Sequence, residues 1–466
     1  MTSESSIRDI DRQFVLPHYV NLRKRQEEGA DVIQKGERVY VTDMDGRRFL
    51  DASSCMWAAS LGFSETGPID AATEQLRKLP FYHYGLNKTH EPAARLAEKI
   101  AGMAPIKNAK IHYATTGSEA NDFLIKFIWF INNARGLPQK TKILSHLNAW
   151  HGSTIAACSM SGIKRCHDGY NLPLPGFIHL PAPHYFRNSA AGESEAKFVE
   201  RLCKNLERVI LEEGPDTIAA MIVEPVGGAS GVVVPPKTYF PELQKVLRKY
   251  DILTISDEVI TGFGRTGNMF GSQTMNIEPD AMTFAKGFSA AYYPISAIAI
   301  NEDISNGLVE ASDKYGFFAH GSTFAGHPAG CAAALKTLEI IESMDLPKNS
   351  KEMGKLIEAG LRKYEGHEFF GEVRGCGLMW ALELVADKST GRLLKHPGAT
   401  ANRLAVECEK RDLIIRNLAN GDSIAIAPPL IINEEEIKDL FDRFDSAFQA
   451  TVEWIKERGL HSENEA

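Results

Sequence analysis

The stretch ILTISDEVITGFGRTG (residues 252–267), followed at 280–300 by DAMTFAKGFSAAYYPISAIAI, decides how this chain is read. Two apolar runs suited to buried strands each end at an ionisable residue, Asp257 after LTIS and Lys286 after MTFA. A carboxylate and an amine at neighbouring strand ends suggest pyridoxal phosphate chemistry. Lys286 would form a Schiff base with the cofactor aldehyde, and Asp257 would keep the pyridinium nitrogen protonated so that the ring can accept electrons. Each residue alone has a plainer reading, Asp257 as a helix cap and Lys286 as a surface loop lysine, so the case rests on the motifs around them.

Composition narrows the classes. With 466 residues, 44% apolar and 24% charged, the chain is expected to be a globular protein with a sizeable core, in two domains or one large and one small. A formal charge of −8 and the absence of a long Lys/Arg run argue against nucleic acid or an anionic membrane as partner and favour small molecules. The opening MTSESSIRDIDRQF lacks the apolar centre of a secretory signal. The densest apolar run, FLIKFIWFI (123–131), contains Lys126 and is far shorter than the roughly 20 residues of a membrane helix. Seven cysteines without a CxxC pair cannot all be paired within one chain, and a cytoplasmic location is expected.

The N-terminal part, 1–69, contains a hairpin, ERVYVTDMDGRRFLDASS, with Asp45 and Gly46 at the turn, and is assigned to a small domain. From 70 to 335 short apolar strands (AKIHYAT, KILSHL, AAMIVEPV, ILTISDEV, DAMTF, ISAIAI) alternate with helical stretches, which predicts a mainly parallel sheet covered on both faces. Near 335 a long helical segment begins, and 336–466, with strands in GEVRGCGLMWALELV, LIIRN and SIAIAPPLII, returns to the small domain. A last helix has Asn433 as cap, Glu436 completing a capping box, and Ile437, Leu440, Phe441, Phe444, Phe448, Val452 and Ile455 on one face.

Further motifs supply what a flat, phosphorylated cofactor needs. In YATTGSEANDFLIKF a helix starting near Ser118 would offer the amides of Gly117 and Ser118, its dipole and the Ser118 hydroxyl to an anion, although a plain glycine turn and serine cap is the alternative. In HLNAWHGSTIAA, Trp150 could stack on an aromatic ring above a turn shaped by His151 and Gly152, or belong to the core. Glu224 in MIVEPVGGASG ends a strand and is expected to order its neighbours near the ring hydroxyl, with a purely structural hydrogen-bonding role as the other reading. Ser322 and Thr323 in FFAHGSTFAGHPAG offer hydroxyl donors or cap a loop. No metal site is expected: His83 and His90, and His320 and His327, are seven apart without acidic partners at ligand spacing.

In their order and spacing, GSEAN, WHG, EPV, SDEVITGFGRTG, AKG, GSTFAGHP, VRGCGL and GDSIAIAPPL resemble the class III aminotransferases, pyridoxal phosphate enzymes of fold type I, over nearly the whole chain. The resemblance implies an α/β fold, with a large domain built on a mainly parallel sheet between helices and a small α+β domain made of both chain ends. It implies Lys286 as the Schiff base lysine, Asp257 as the pyridinium partner, Val259 against the ring face opposite Trp150, and Gly117 and Ser118 on the phosphate. It also implies a homodimer with shared active sites, in which Thr323 reaches the phosphate of the neighbouring subunit; further pairing into a tetramer stays open. SSCMWAASLGF is similar to a segment of the amine:pyruvate (omega) transaminases, which makes Trp57 a pocket wall, as Phe81 would also be. Arg416 resembles the arginine that binds the acceptor carboxylate. Trp150 stands for a tyrosine, Gly227 for a glutamine, Ala325 for a serine and Ser60 for an asparagine; such departures would alter substrate range.

The function implied is transfer of an amino group from a primary amine or omega-amino acid to an oxo acid, pyruvate first among them, with Lys286 as general base. The alternatives are beta-alanine, gamma-aminobutyrate, taurine or diamine transamination. A pyridoxal phosphate lyase, decarboxylase or aminomutase would keep Lys286 and Asp257 but need no oxo acid. A non-enzymatic cofactor-binding protein would carry an added DNA-binding module or lack the lysine.

Overall fold

The computed structural model describes residues 6–418 and 421–462. MTSES at the start, residues 463–466, and Ala419 and Asn420 of the NLAN link between Arg416 and Gly421 lie outside the described residues.

Seven strands form the central sheet in the order Lys110–Ala114, Ser296–Ile300, Ala281–Phe284, Leu253–Asp257, Ile218–Val223, Lys142–His146, Phe177–Leu180. The last five run parallel to one another, and Ser296–Ile300 pairs antiparallel with both its neighbours, so the sheet is mainly parallel as expected. The strand Phe177–Leu180 has no counterpart in the sequence reading, because four residues at a sheet edge carry little periodicity. Every residue of Ile218–Val223 is buried, and alternate side chains serve opposite faces. Met221 and Val223 pack with Phe198, Leu206, Phe240 and Leu247 of the helices Glu195–Glu213 and Tyr239–Lys249. Ala220 and Ile222 pack with Leu124, Ile128 and Ile131 of the helix Gly117–Ala134 and with Ile304 of Glu302–Tyr315. The helices therefore cover both faces, and the carboxyl ends of the parallel strands, where such sheets bind ligands, carry the residues of interest.

The N-terminal hairpin pairs Tyr40 with Leu50 and Thr42 with Arg48. Its turn has Gly46 at φ +85°, a conformation glycine adopts without strain, and is held by Asp43 Oδ1, which accepts from the amides of Asp45 and Arg47. LIIRN divides between two sheets. Leu413–Ile414 pairs parallel with Arg48–Asp51, while Arg416–Asn417 joins the antiparallel sheet of Phe370–Cys376, Met379–Leu384 and Asp422–Ile426. The two chain ends are thus joined by backbone hydrogen bonds. The helical segment expected near 335 is two helices, Pro328–Ser343 and Leu346–Arg362, because Asp345 turns left-handed (φ +47°) and Pro347 cannot continue the first. The last helix, Glu434–Glu457, has the expected capping box of Asn433 and Glu436, and Glu436 also accepts from Arg38 Nε at 2.7 Å, which ties it to the N-terminal hairpin.

Arg265 is fully buried where the central sheet meets the C-terminal part. Its guanidinium donates to the carbonyls of Leu378 (2.9 Å) and Pro428 (2.6 Å) and to Ser54 Oγ (3.2 Å). Burial lowers its pKa to about 9, partly offset by Asp51. Replacing Arg265 with methionine strips three buried acceptors of a charged donor and should destabilise the protein by about 3 kcal/mol or more, read as a lower midpoint of thermal unfolding; an unchanged midpoint would show that the contact is dispensable.

Candidate active site

Asp257 is the last residue of its strand and is 4% exposed. A buried carboxylate needs donors, and three segments provide them. His151 Nδ1 lies 2.8 Å and Asn121 Nδ2 3.0 Å from Oδ2, while the amide of Val259 donates to Oδ1 at 3.1 Å. Asn121 also donates to the His151 carbonyl at 2.7 Å, so one amide group fixes both members of the pair. Asn121 was not singled out in the sequence. The available signal is its place in GSEAN, about one helical turn past Ser118 and so on the same helix face.

Gly117, Ser118, Trp150, His151, Glu224, Asp257, Val259 and Lys286 line one cavity of about 130 Å³. That is roughly ten times the space one water needs, enough for a ring rather than an ion. The helix Gly117–Ala134 starts at this cavity with Thr116, not Ser118, as its cap: Thr116 Oγ1 accepts from the amide of Glu119. Ser118 Oγ instead accepts from Ser153 N at 3.0 Å, which leaves its own O–H to donate to a ligand. The first amides of a helix have no partner within it, so Gly117 and Ser118 suit an anion. A Cβ on Gly117 would stand 2.9 Å from Val259 Cγ2, and one on Gly152 2.5 Å from Ser118 Oγ, so both glycines allow approaches that a side chain would block. Trp150 and Val259 are half-buried walls of this cavity.

Lys286 begins the short turn Lys286–Phe288 with φ +50°, a left-handed conformation that costs a non-glycine residue roughly 1–2 kcal/mol. Strain of this kind concentrates at functional sites. Burial lowers its pKa to about 8, against the opposing pull of Asp257 and with Arg416 adding to the lowering. Glu224 shifts the other way: burial, then the negative charge of Asp257, raises its pKa well above the carboxylate range. Its Oε1 accepts from Trp150 N at 3.4 Å, so Glu224 helps to order the Trp150 turn.

The remaining candidates stand outside this lining. Trp57 is 3% exposed and packs in the apolar cluster that contains Val226 and Ile260, both cavity walls. Arg416 is half-buried, close enough for its charge to act on Lys286. Phe81 is exposed and meets Phe324 edge-on at 5.7 Å, next to Thr323, which is itself exposed. Tyr19, absent from the sequence reading, sets its ring edge-on to Trp150 at 6.2 Å; nothing in a short polar N-terminal arm marks it. Glu258, beside Asp257, points to structure: it accepts from the amides of Ser272 (2.6 Å) and Gly271 (2.8 Å) and from Thr261 Oγ1 (2.5 Å). Among the histidines, His90 Nε2 meets the Gly326 carbonyl at 2.9 Å and His327 Nδ1 meets the Tyr293 hydroxyl at 3.2 Å. His184, Glu372 and Glu383 bring three ligand-type atoms within 4.8 Å of one another, but Arg374 and Arg187 pair with these carboxylates and make the group an ion-pair network.

Residues 23–448 match the sequence model of the family described as aminotransferase class-III. A probable mitochondrial gamma-aminobutyrate transaminase 2 of Oryza sativa subsp. indica is 43% identical over 427 residues, covering 91% of this chain and 86% of the relative. A vanillin aminotransferase of Capsicum chinense is 40% identical over 427 residues, covering 91% and 93%. Among solved structures, the omega transaminase from Pseudomonas jessenii in complex with PMP superposes with a TM-score of 0.95 at 45% identity, covering 97% of this chain and 99% of the other.

Asn121→Ala should remove one donor from Asp257 and one from the His151 carbonyl, at a cost of about 1–3 kcal/mol per unsatisfied group. Thermal unfolding checks this; a variant as stable as the parent would mean that water replaces the amide.

Proposed function

Because the chain belongs to the class III aminotransferases, pyridoxal phosphate enzymes of fold type I, we propose that it moves the amino group of a primary amine or omega-amino acid to an oxo acid, with pyruvate as acceptor. The observation that carries this reading is the convergence on one cavity of an amine with lowered pKa, a hydrogen-bonded buried carboxylate and a helix N-terminus. Bound there, pyridoxal phosphate supplies an electron-accepting ring and an aldehyde carbon that carries the amino group between the two half-reactions.

The residues divide the work. Lys286 anchors the cofactor through its amine and, once freed by substrate, takes the proton from the substrate carbon as general base; burial keeps a useful fraction of Nζ unprotonated near neutrality. Asp257 holds a proton on the ring nitrogen, and His151 and Asn121 hold Asp257 in place. Gly117 and Ser118 bind the phosphate with amides and a hydroxyl. Glu224, accepting from the Trp150 amide, keeps the Trp150 turn in register, and Trp150 and Val259 wall the ring. Trp57 and Phe81 bound the substrate pocket, and Arg416 receives the oxo acid carboxylate.

The proposal includes a homodimer in which Thr323 reaches the phosphate site of the neighbouring subunit. Its support is the exposed apolar surface around that loop, with Phe317 63%, Phe324 60% and Leu86 76% exposed. No helix among the described residues is long and apolar enough to cross a membrane. All seven cysteines are free, and the proposal places the enzyme in the cytoplasm. A second reading, an omega-amino acid such as gamma-aminobutyrate as the natural donor, is favoured by the name of the Oryza relative and by the carboxylate-binding chemistry of Arg416.

Alanine formed from pyruvate, with 1-phenylethylamine or gamma-aminobutyrate as donor, tests the reading and separates its two forms; no alanine with any amine would defeat it. Lys286→Ala should lower turnover by about a thousandfold or more, and substantial remaining turnover would sink the role given to this lysine. Uptake of pyridoxal phosphate by the cofactor-free protein requires the neutral amine, so it should rise with pH through about 8, followed by absorbance of the bound cofactor. A midpoint at the ordinary lysine value would contradict the lowered pKa.

A further inference from the structure

Between the strand Arg48–Asp51 and the body of the protein the backbone makes a left-handed turn. Ser54 (φ +48°), Cys55 (+48°), Met56 (+64°) and Trp57 (+70°) all lie in the region that favours glycine, and none of them is glycine. Non-glycine residues enter that region one at a time, not as a turn of four, because each Cβ crowds the following carbonyl oxygen. Elsewhere among the described residues such positions come singly or in pairs. Strain of this extent persists only where the surroundings over-determine it, and Asp51 supplies much of that restraint. Asp51 is 3% exposed; its Oδ1 accepts from the Ser53 amide (2.8 Å) and hydroxyl (2.6 Å), and its Oδ2 accepts from the Cys55 amide (2.6 Å). Ser54 Oγ donates to the Ala427 carbonyl at 2.5 Å and accepts from Arg265 Nη2 at 3.2 Å. The amide of Trp57 donates back to the Ser53 carbonyl, and the amides of Ala58 and Ala59 donate to that of Ser54. The handedness of a turn sets the side on which its side chains leave the backbone. This turn delivers Trp57 into the apolar cluster with Val226 and Ile260, two walls of the cavity.

We infer that Asp51 is a positioning residue for substrate selection: it pins the turn Ser54–Trp57 in its left-handed form and thereby fixes the Trp57 indole as a rigid wall of the substrate pocket. The inference rests on the reading of Trp57 as a pocket wall and adds what holds that wall in place. A wall fixed in one position favours one hand of a chiral amine, and a loose one admits both. Burial keeps the clamp closed, since with no water at hand the Asp51 oxygens and the amides they hold have only each other. Of the contacts made by Asp51, only that of Oδ2 reaches into the turn itself, at the residue that precedes Met56 and Trp57.

The test uses the holoenzyme and reads the ratio of kcat/KM for the two enantiomers of 1-phenylethylamine with pyruvate, a ratio that does not depend on how much of a preparation is folded. Asp51→Asn, which leaves one acceptor oxygen where the turn uses two, should lower that ratio by about tenfold or more. Adding Cys55→Gly, which takes left-handed backbone without strain, should recover part of it. Cys55→Val should lower the ratio with Asp51 intact, because a branched side chain resists that backbone, and it carries the test if Asp51→Asn does not fold. An unchanged ratio in Asp51→Asn or in Cys55→Val, where Trp57→Leu does shift it, would overturn the clamp. A ratio that Trp57→Leu leaves unchanged, or turnover of neither enantiomer, would defeat the pocket reading, and the clamp is then read from thermal unfolding. There Cys55→Gly should raise the midpoint in the parent and raise it less beside Asp51→Asn, where the turn has relaxed; equal gains in the two backgrounds, or none in the parent, would show that Asp51 does not hold the turn.

Discussion

A carboxylate buried at the end of a strand is the constraint that organises this molecule. Asp257 can remain there only while His151, Asn121 and the Val259 amide satisfy it. Those donors come from a loop after one strand, a helix after another and the turn beyond Asp257 itself, so the carboxylate holds three segments at fixed separation. The same separation leaves the cavity between Gly117, Trp150 and Lys286. Binding geometry and stability are therefore one problem here: loosening the donors around Asp257 also widens the site.

The residues that follow Asp257 extend this coupling outward. Glu258 gathers the amides of Gly271 and Ser272, and Arg265 reaches carbonyls at Leu378 and Pro428 on the far side of the chain. Within nine residues the segment supplies one carboxylate to the cavity and two ionisable groups for architecture. Buried charges of this kind are costly unless hydrogen bonded, and each is matched by backbone groups that would otherwise be unsatisfied. The opposite shifts of Lys286 and Glu224 have the same origin. Burial penalises the charged form of each, making the amine less basic and the carboxyl less acidic within one cavity.

Much of this was legible in the sequence because it depends on local pattern. The apolar runs ending at Asp257 and Lys286 are strands, the glycine before Ser118 opens a helix, and Asn433 with Glu436 caps the last helix, all signals that span a few residues. Asn121 and Tyr19 were not legible, since their meaning lies in partners 136 and 131 positions away. The division of LIIRN between two sheets escaped for the same reason: both halves look like strand, and only the register with Leu50 and with Ala425 separates them.

By itself the sequence determined the class of fold, most of its strands and helices, and the residue types available for chemistry, because periodicity, caps and glycine positions act over one or two turns of chain. Only the tertiary structure decided which of those residues meet. It gave Asp257 two side-chain donors and gave the helix cap to Thr116, leaving the Ser118 hydroxyl oxygen to accept from the Ser153 amide. The physical reason is that burial and charge are properties of neighbours in space: the pKa of a lysine falls, and that of a carboxyl rises, only once the chain has folded around them.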